Sequence, residues 1–169
     1  MEGTPYLGRP DDSFPTDNPR RKLVHNSLEA VAYDLFPPTS MLRQLYEWDA
    51  LKDFVAAVLG QPLLYRYADP FGALNLAVMR DGDVLGWHFD MTDFVVSLAI
   101  QSSERGGEFL NAKQIRTVTD ERYDDVASVL ELGGRSPLVR TEPMTPGTLM
   151  LFNGRTSLHK VSPIEGDVS

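Results

Sequence analysis

The sequence predicts a mainly β domain with flanking α-helices, of the sandwich or barrel kind. Past Leu63 the residues fall into short β-like runs: Leu63–Ala68, Leu74–Met79, Val84–Asp90, Phe94–Ser102, Glu108–Asn111, Leu138–Thr141, Thr148–Phe152 and Ser157–Ser162. Turn chemistry separates them at Asp69-Pro70-Phe71-Gly72, Asp81-Gly82-Asp83, Gly106-Gly107, Pro146-Gly147 and Asn153-Gly154. Helical periodicity is concentrated ahead of these runs, so the helices buttress a sheet rather than alternate with its strands.

Taken in order, residues 1–20 hold Pro5, Pro10, Pro15 and Pro19 with Gly3 and Gly8, and read as an irregular N-terminal arm. Residues 21–169 read as a single domain, since 169 residues fit one hydrophobic core. A short mixed element from Ser27 to Phe36 ends at Pro37-Pro38, and Thr39 or Ser40 caps a short helix through Tyr46. Asp49 is the expected N-cap of the next helix, whose Leu51, Phe54, Val55, Val58 and Leu59 repeat with helical period until Gly60 and Pro62. One helix interrupts the strands, with Asp120 as N-cap, Ala127, Val129 and Leu130 as apolar contacts and Gly133-Gly134 as its stop. After the last run, Pro163-Ile164-Glu165-Gly166-Asp167 reads as a turn that leads to no further strand. The expectation is a sheet with its last strand missing, in a chain truncated at its C-terminus. Such an unpaired edge offers a route to a homodimer.

Composition narrows the function. Sixteen Lys and Arg against 24 Asp and Glu give a formal charge of −8, which repels phosphate backbones and anionic lipid, so no nucleic-acid or membrane partner is expected. With no cysteine, disulfide scaffolds, thiolate zinc sites, iron–sulfur clusters and Cys nucleophiles are excluded. No apolar run approaches the roughly 20 residues of a membrane span, and the N-terminus is no signal peptide, so a cytoplasmic protein is expected.

The chain has three histidines. His25 sits in a polar stretch after Arg20, Arg21 and Lys22 and reads as a solvated loop residue. His88 and Asp90 are two apart in one expected strand, which puts both side chains on one face and Trp87 and Phe89 on the other. The pair has two readings: an Asp holding a core His by a hydrogen bond, or two ligands of a metal. His159, in a distant expected strand, favours the second, because such strands can face each other across a barrel mouth. Two imidazoles and one carboxylate leave open positions on a metal, the arrangement of non-heme Fe(II) oxygenases.

Four segments in order carry a resemblance: Gly86-Trp87-His88-Phe89-Asp90, Gly106-Gly107-Glu108-Phe109, Pro146-Gly147-Thr148-Leu149-Met150-Leu151-Phe152 and Ser157-Leu158-His159-Lys160-Val161-Ser162-Pro163. Together with Tyr67-Ala68-Asp69-Pro70-Phe71-Gly72-Ala73-Leu74-Asn75 they resemble the Fe(II)/2-oxoglutarate-dependent oxygenases, in the branch of free-amino-acid hydroxylases and radical halogenases. The resemblance implies a double-stranded β-helix (jelly-roll, cupin-like), with Fe(II) held by His88, Asp90 and His159, and 2-oxoglutarate and O₂ as cosubstrates. It also implies hydroxylation of an unactivated C–H of a small substrate, such as a free amino acid. Halogenase members carry a small residue at the carboxylate position, whereas this chain has Asp90, so hydroxylation is expected over halogenation.

The basic residue that holds the far carboxylate of 2-oxoglutarate in such enzymes would fall at or past Ser169, so this chain taken alone could be inactive. Arg155 is the nearby substitute, Ser162 a further hydrogen-bond donor, and Asn75 a cosubstrate contact or a polar residue satisfying backbone. For substrate, Trp87 is a wall of the site or core packing, Asp93 and Asp69 are ammonium partners or turn residues, and Arg116 is a carboxylate partner or a solvated loop residue. Two other readings stand beside the oxygenase: a cupin-like metal-binding protein without 2-oxoglutarate chemistry, and an inactive β-helix module.

Overall fold

The computed structural model describes residues 1–168, and the fold is mainly β, with several antiparallel sheets and few helices. The chain divides into two compact units, Met1–Leu28 with Met79–Ser169, and Glu29–Val78. No helix among the described residues is long and apolar enough to cross a membrane.

The first strands are β1 (Glu2–Gly3), β2 (Val24–Ser27) and β3 (Glu29–Ala32). In the smaller unit, β3 is followed by α1 (Met41–Glu47), α2 (Asp49–Val58), a single helical turn α3 (Pro70–Ala73) and β4 (Asn75–Val78), which pairs antiparallel with β3. The helices fall where periodicity places them, with different details. Trp48 rather than Asp49 occupies the N-cap of α2, and Asp49 lies in its first turn. Val55 and Ala56 are the buried residues of α2, while Phe54 and Val58 are exposed. The expected strand Leu63–Ala68 is corrected to irregular backbone. Arg66 accounts for this: its guanidinium donates to the carbonyls of Tyr46 (2.9 Å) and Glu47 (2.7 Å) at the end of α1 and pairs with Asp49 (2.9 Å). That segment closes a helix end instead of joining a ladder. The expected turn at Asp69 is α3, with Asp69 Oδ1 accepting from Phe71 N as its cap.

The larger unit holds β5 (Val84–His88), β6 (Val95–Leu98), β7 (Ser103–Gly106), β8 (Phe109–Ala112), α4 (Tyr123–Leu132), β9 (Arg140–Glu142), β10 (Leu149–Phe152), β11 (Leu158–Val161) and β12 (Ile164–Val168). Its main sheet runs β1-β2-β5-β11-β8-β9, and β10 pairs with β6 and β12 with β7 in two-stranded sheets. One face of the main sheet carries Trp87, Leu110, Ala112 and Leu158, which form a core cluster with Val126 and Val129 of α4. The four buried aliphatics Val126, Val129, Leu158 and Ala112 are at most 1 % exposed. α4 starts at Tyr123 instead of Asp120, because Asp120 accepts from Arg122 N and Arg122 turns left-handed ahead of the helix.

Two sequence expectations fail at the end of the chain. The reading of residues 163–167 as a turn is corrected: β12 pairs antiparallel with β7. The turn signal of Gly166 (φ +81°) belongs to a register shift within that ladder, the use of glycine as a bulge. Nor is β11 left without a partner, since it is hydrogen-bonded to β5 on one side and β8 on the other. The expected run Phe94–Ser102 is also shortened to β6, and β7 follows it at Ser103–Gly106, where the sequence predicts no strand.

The N-terminal segment is mostly irregular, as its prolines dictate, and is anchored at several points. Thr4, Pro5 and Pro19 are buried, β1 pairs with β2, and the Pro5 carbonyl accepts from Phe89 N at 2.8 Å.

Candidate metal centre

His88 closes β5 and His159 lies in β11, and the two are register partners on directly hydrogen-bonded strands. The expectation that they face each other across a barrel mouth is therefore corrected: they are neighbours on one sheet face, their ring centroids 4.2 Å apart. Asp90 lies just past the end of β5 rather than within it. Its carboxylate nevertheless reaches both rings, with Oδ1 3.7 Å from His88 Nε2 and Oδ2 3.3 Å from His159 Nε2. One ligand atom from each of the three residues lies within 4.8 Å of the others, and both histidines are buried.

The tautomers are set by backbone. His88 Nδ1 donates to the Gly86 carbonyl at 2.8 Å and His159 Nδ1 to the Ser157 carbonyl at 2.9 Å, each two residues earlier on its own chain. Both Nε2 atoms are thus the ring nitrogens left facing Asp90. Burial pushes the His159 imidazole down to about 3, reinforced by His88, so it is neutral at pH 7. Burial raises the Asp90 carboxyl, opposed by the charge of His88. Asp90 Oδ2 is buried without a hydrogen-bond partner. Asp90 Oδ2 and His159 Nε2 stand 3.3 Å apart, both turned toward the same buried space, and with the carboxylate ionised a cation in that space would satisfy both. The donor set of two imidazoles and a hard carboxylate fits Fe(II) among divalent metals.

The loops around Asp90 are tied down. Asp90 N donates to the Gly154 carbonyl at 3.0 Å. A Cβ on Gly154 would stand 2.7 Å from Asp90 Cβ and Cγ and overlap Oδ2, so only glycine leaves the carboxylate where it is. Arg155 pairs with Asp93 (3.0 Å) and donates to the Met91 carbonyl (2.8 Å), bridging the loops on either side of Asp90. Arg116 donates to the Arg155 carbonyl (2.8 Å), pairs with Glu121 (2.7 Å) and lies 3.8 Å over the Phe89 ring. Glu121 also holds Arg20 at 3.1 Å, and both arginines stack on Tyr6. Phe109 and Phe152 pack on His159, with centroids 5.6 and 4.8 Å from its ring, and shield it from water.

The residues singled out from sequence therefore fall into three groups. His88, Asp90 and His159 come together. Arg155, Asp93 and Arg116 stand around the triad, engaged with one another's loops or with Glu121 rather than free. Trp87 faces the α4 side in the core, and Ser162 Oγ accepts from Glu108 N at 3.0 Å. Asn75 and Asp69 lie in the smaller unit, where Asn75 donates to the Phe71 carbonyl and Asp69 caps α3. A cleft of about 820 Å³ opens on the α4 side against Trp87 and Tyr123 and does not include the triad. Sequence reasoning treated Gly154 only as a turn residue and passed over Asn111, the register partner of His159 on β8. The Asn153-Gly154 turn was a visible signal for the first, and nothing in the sequence marks the second.

No curated protein matches the chain. The family model described as Halogenase D (HalD) matches residues 15–169, nearly the whole sequence and all three triad residues, and the chain belongs to that family.

Proposed function

We propose that the protein is an Fe(II)/2-oxoglutarate-dependent oxygenase that hydroxylates an unactivated C–H of a small molecule, with a free amino acid as the first class to try. Membership of the halogenase D family and the His-Asp-His cluster support an iron-dependent oxidative enzyme. The observation that carries hydroxylation over halogenation is Asp90, whose carboxylate stands between the two imidazoles where a third protein ligand belongs. Through these ligands, bound iron supplies oxidation of the substrate by O₂ at the expense of a 2-oxo acid. The chain's own part is to hold the metal through Nε2 of His88 and His159 and one oxygen of Asp90. Gly86 and Ser157 carbonyls fix the two tautomers, and the Asp90 charge offsets that of the cation. Phe109 and Phe152 keep water from one side of the site. The main sheet and the β6–β10 pair are the elements we assign to a double-stranded β-helix.

The test is an anaerobic titration of the apo-protein with Fe(II) and 2-oxoglutarate, watching for the visible charge-transfer band of a chelated 2-oxo acid. Exposure to O₂ with chloride and a panel of amino acids follows, with products read by mass spectrometry. A band and a product gaining oxygen are expected. Absence of the band would remove the 2-oxoglutarate reading, and a chlorinated product would overturn hydroxylation.

A further inference from the structure

The row that begins with His88 and His159 does not stop at the metal ligands. His88 pairs in register with His159, His159 with Asn111, and Asn111 with Arg140, so the four lie side by side on one face across β5, β11, β8 and β9. Register partners on neighbouring strands are about 5 Å apart, which puts Asn111 within one strand spacing of the metal ligand His159. Asn111 is 6 % exposed, and its Oδ1 is buried with no hydrogen-bond partner. A buried amide oxygen left unpaired costs free energy that a leucine of similar volume at this site would avoid. The alternate residues of the same strand, Leu110 and Ala112, are apolar and packed against α4, so polarity is confined to the metal face. Phe109, two residues away on that face, packs on His159 and leaves the amide as the polar group of its strand there. Beyond Asn111, Arg140 makes no ion pair with another described residue, so positive charge increases along the row away from the metal.

We propose that Asn111 is a ligand-contact residue of this centre, its amide donating to a carboxylate of the organic molecule that binds the metal. An amide rotates to present N–H or C=O with little change of shape, so the buried position can donate to a carboxylate. Arg140 sets the charge class, since a cation further along the row favours an anionic ligand over a neutral one. The proposal rests on the 2-oxo acid reading above and names the residue that reads the acid.

The test compares wild type with Asn111→Leu and Asn111→Asp, loaded anaerobically with Fe(II). 2-Oxoglutarate and 2-oxobutyrate are titrated through the charge-transfer band, and Co(II) affinity is measured separately. Asn111→Leu is expected to bind 2-oxoglutarate about ten- to a hundredfold more weakly, the range for a lost hydrogen bond to a charged group, with Co(II) affinity and melting temperature retained or raised. Asn111→Asp, which keeps the acceptor but adds negative charge, is expected to bind it more weakly still. Equal losses for both acids place the contact at the end chelated by the metal, and a loss confined to 2-oxoglutarate places it at the far carboxylate. Unchanged acid affinity in Asn111→Leu, or full binding by Asn111→Asp, would overturn the proposal. No band in wild type would instead overturn the 2-oxoglutarate reading itself, while Co(II) binding still reports the metal site.

Discussion

The two faces of the main sheet use burial in opposite ways. On the α4 side, Trp87, Leu110, Ala112 and Leu158 meet Val126 and Val129 in an apolar cluster. On the other side, equally buried positions hold His88, His159 and Asn111, with two orphaned oxygens, Asp90 Oδ2 and Asn111 Oδ1, beside or among them. Adjacent residues of β11 make the contrast sharpest: Leu158 is 0 % and His159 3 % exposed, yet one packs and the other presents a lone pair. The first face stabilises the fold, and the second keeps buried polar groups at a cost in stability.

Neighbouring substitutions on β11 should therefore have opposite signatures. Leu158→Ala is expected to cost about 2–5 kcal/mol of unfolding free energy, as a cavity in a packed core does, while one Co(II) still binds per chain. Denaturant melts and a Co(II) titration would check it. A mild stability loss with loss of metal would mean that the faces are not separable. His159→Leu should do the reverse. Metal affinity is expected to fall by at least about a hundredfold, beyond the usual cost of losing a residue that merely supports a ligand. The apo-protein should melt at the same temperature or higher, because a buried lone pair facing a carboxylate has been removed.

How far this contrast was legible in the sequence differs between its parts. The triad was, because His88 and Asp90 keep a short local spacing and His159 sits in a recognisable strand. The strand neighbours were not: direct pairing of β11 with β5 joins residues 159 and 88, and no local pattern records a ladder that long in sequence separation. Asn111 stayed invisible for the same reason, since its meaning comes from standing opposite His159. Elsewhere glycine misled. Gly166 signalled a turn and serves a bulge in β12, while the run at Leu63 lost its strand to the hydrogen bonds of Arg66. Helix existence survived these errors because periodicity is local, and helix starts did not, because caps depend on which side chain turns back.

A smaller effect sharpens the link between turn and centre. Gly154→Ala is expected to weaken Co(II) binding about ten- to a hundredfold through displacement of Asp90, with little change in the melting temperature. Unchanged affinity would show that Asp90 tolerates movement. The gentlest test is acid titration of the apo-protein. The His159 pKa lies near 3 in the folded chain against 6.5 for a free imidazole, so the unfolded chain takes up a proton first. Stability from this group is complete above pH 6.5 and falls as pH drops from 6.5 toward 3. Asp90, raised by burial, acts in the opposite direction as its carboxyl protonates. Wild type should therefore lose stability over that window more steeply than His159→Leu, by at most about 1.4 kcal/mol per pH unit. Parallel curves would mean that His159 is not buried as a neutral base.

The most direct measurement of whether the polar face is a metal centre is an anaerobic Co(II) titration read by visible absorption, run on wild type, Asp90→Ala and His159→Leu. One tightly bound Co(II) per wild-type chain is expected, with the signal lost or greatly weakened in both variants. Absence of binding in wild type, or binding undiminished in both variants, would contradict it.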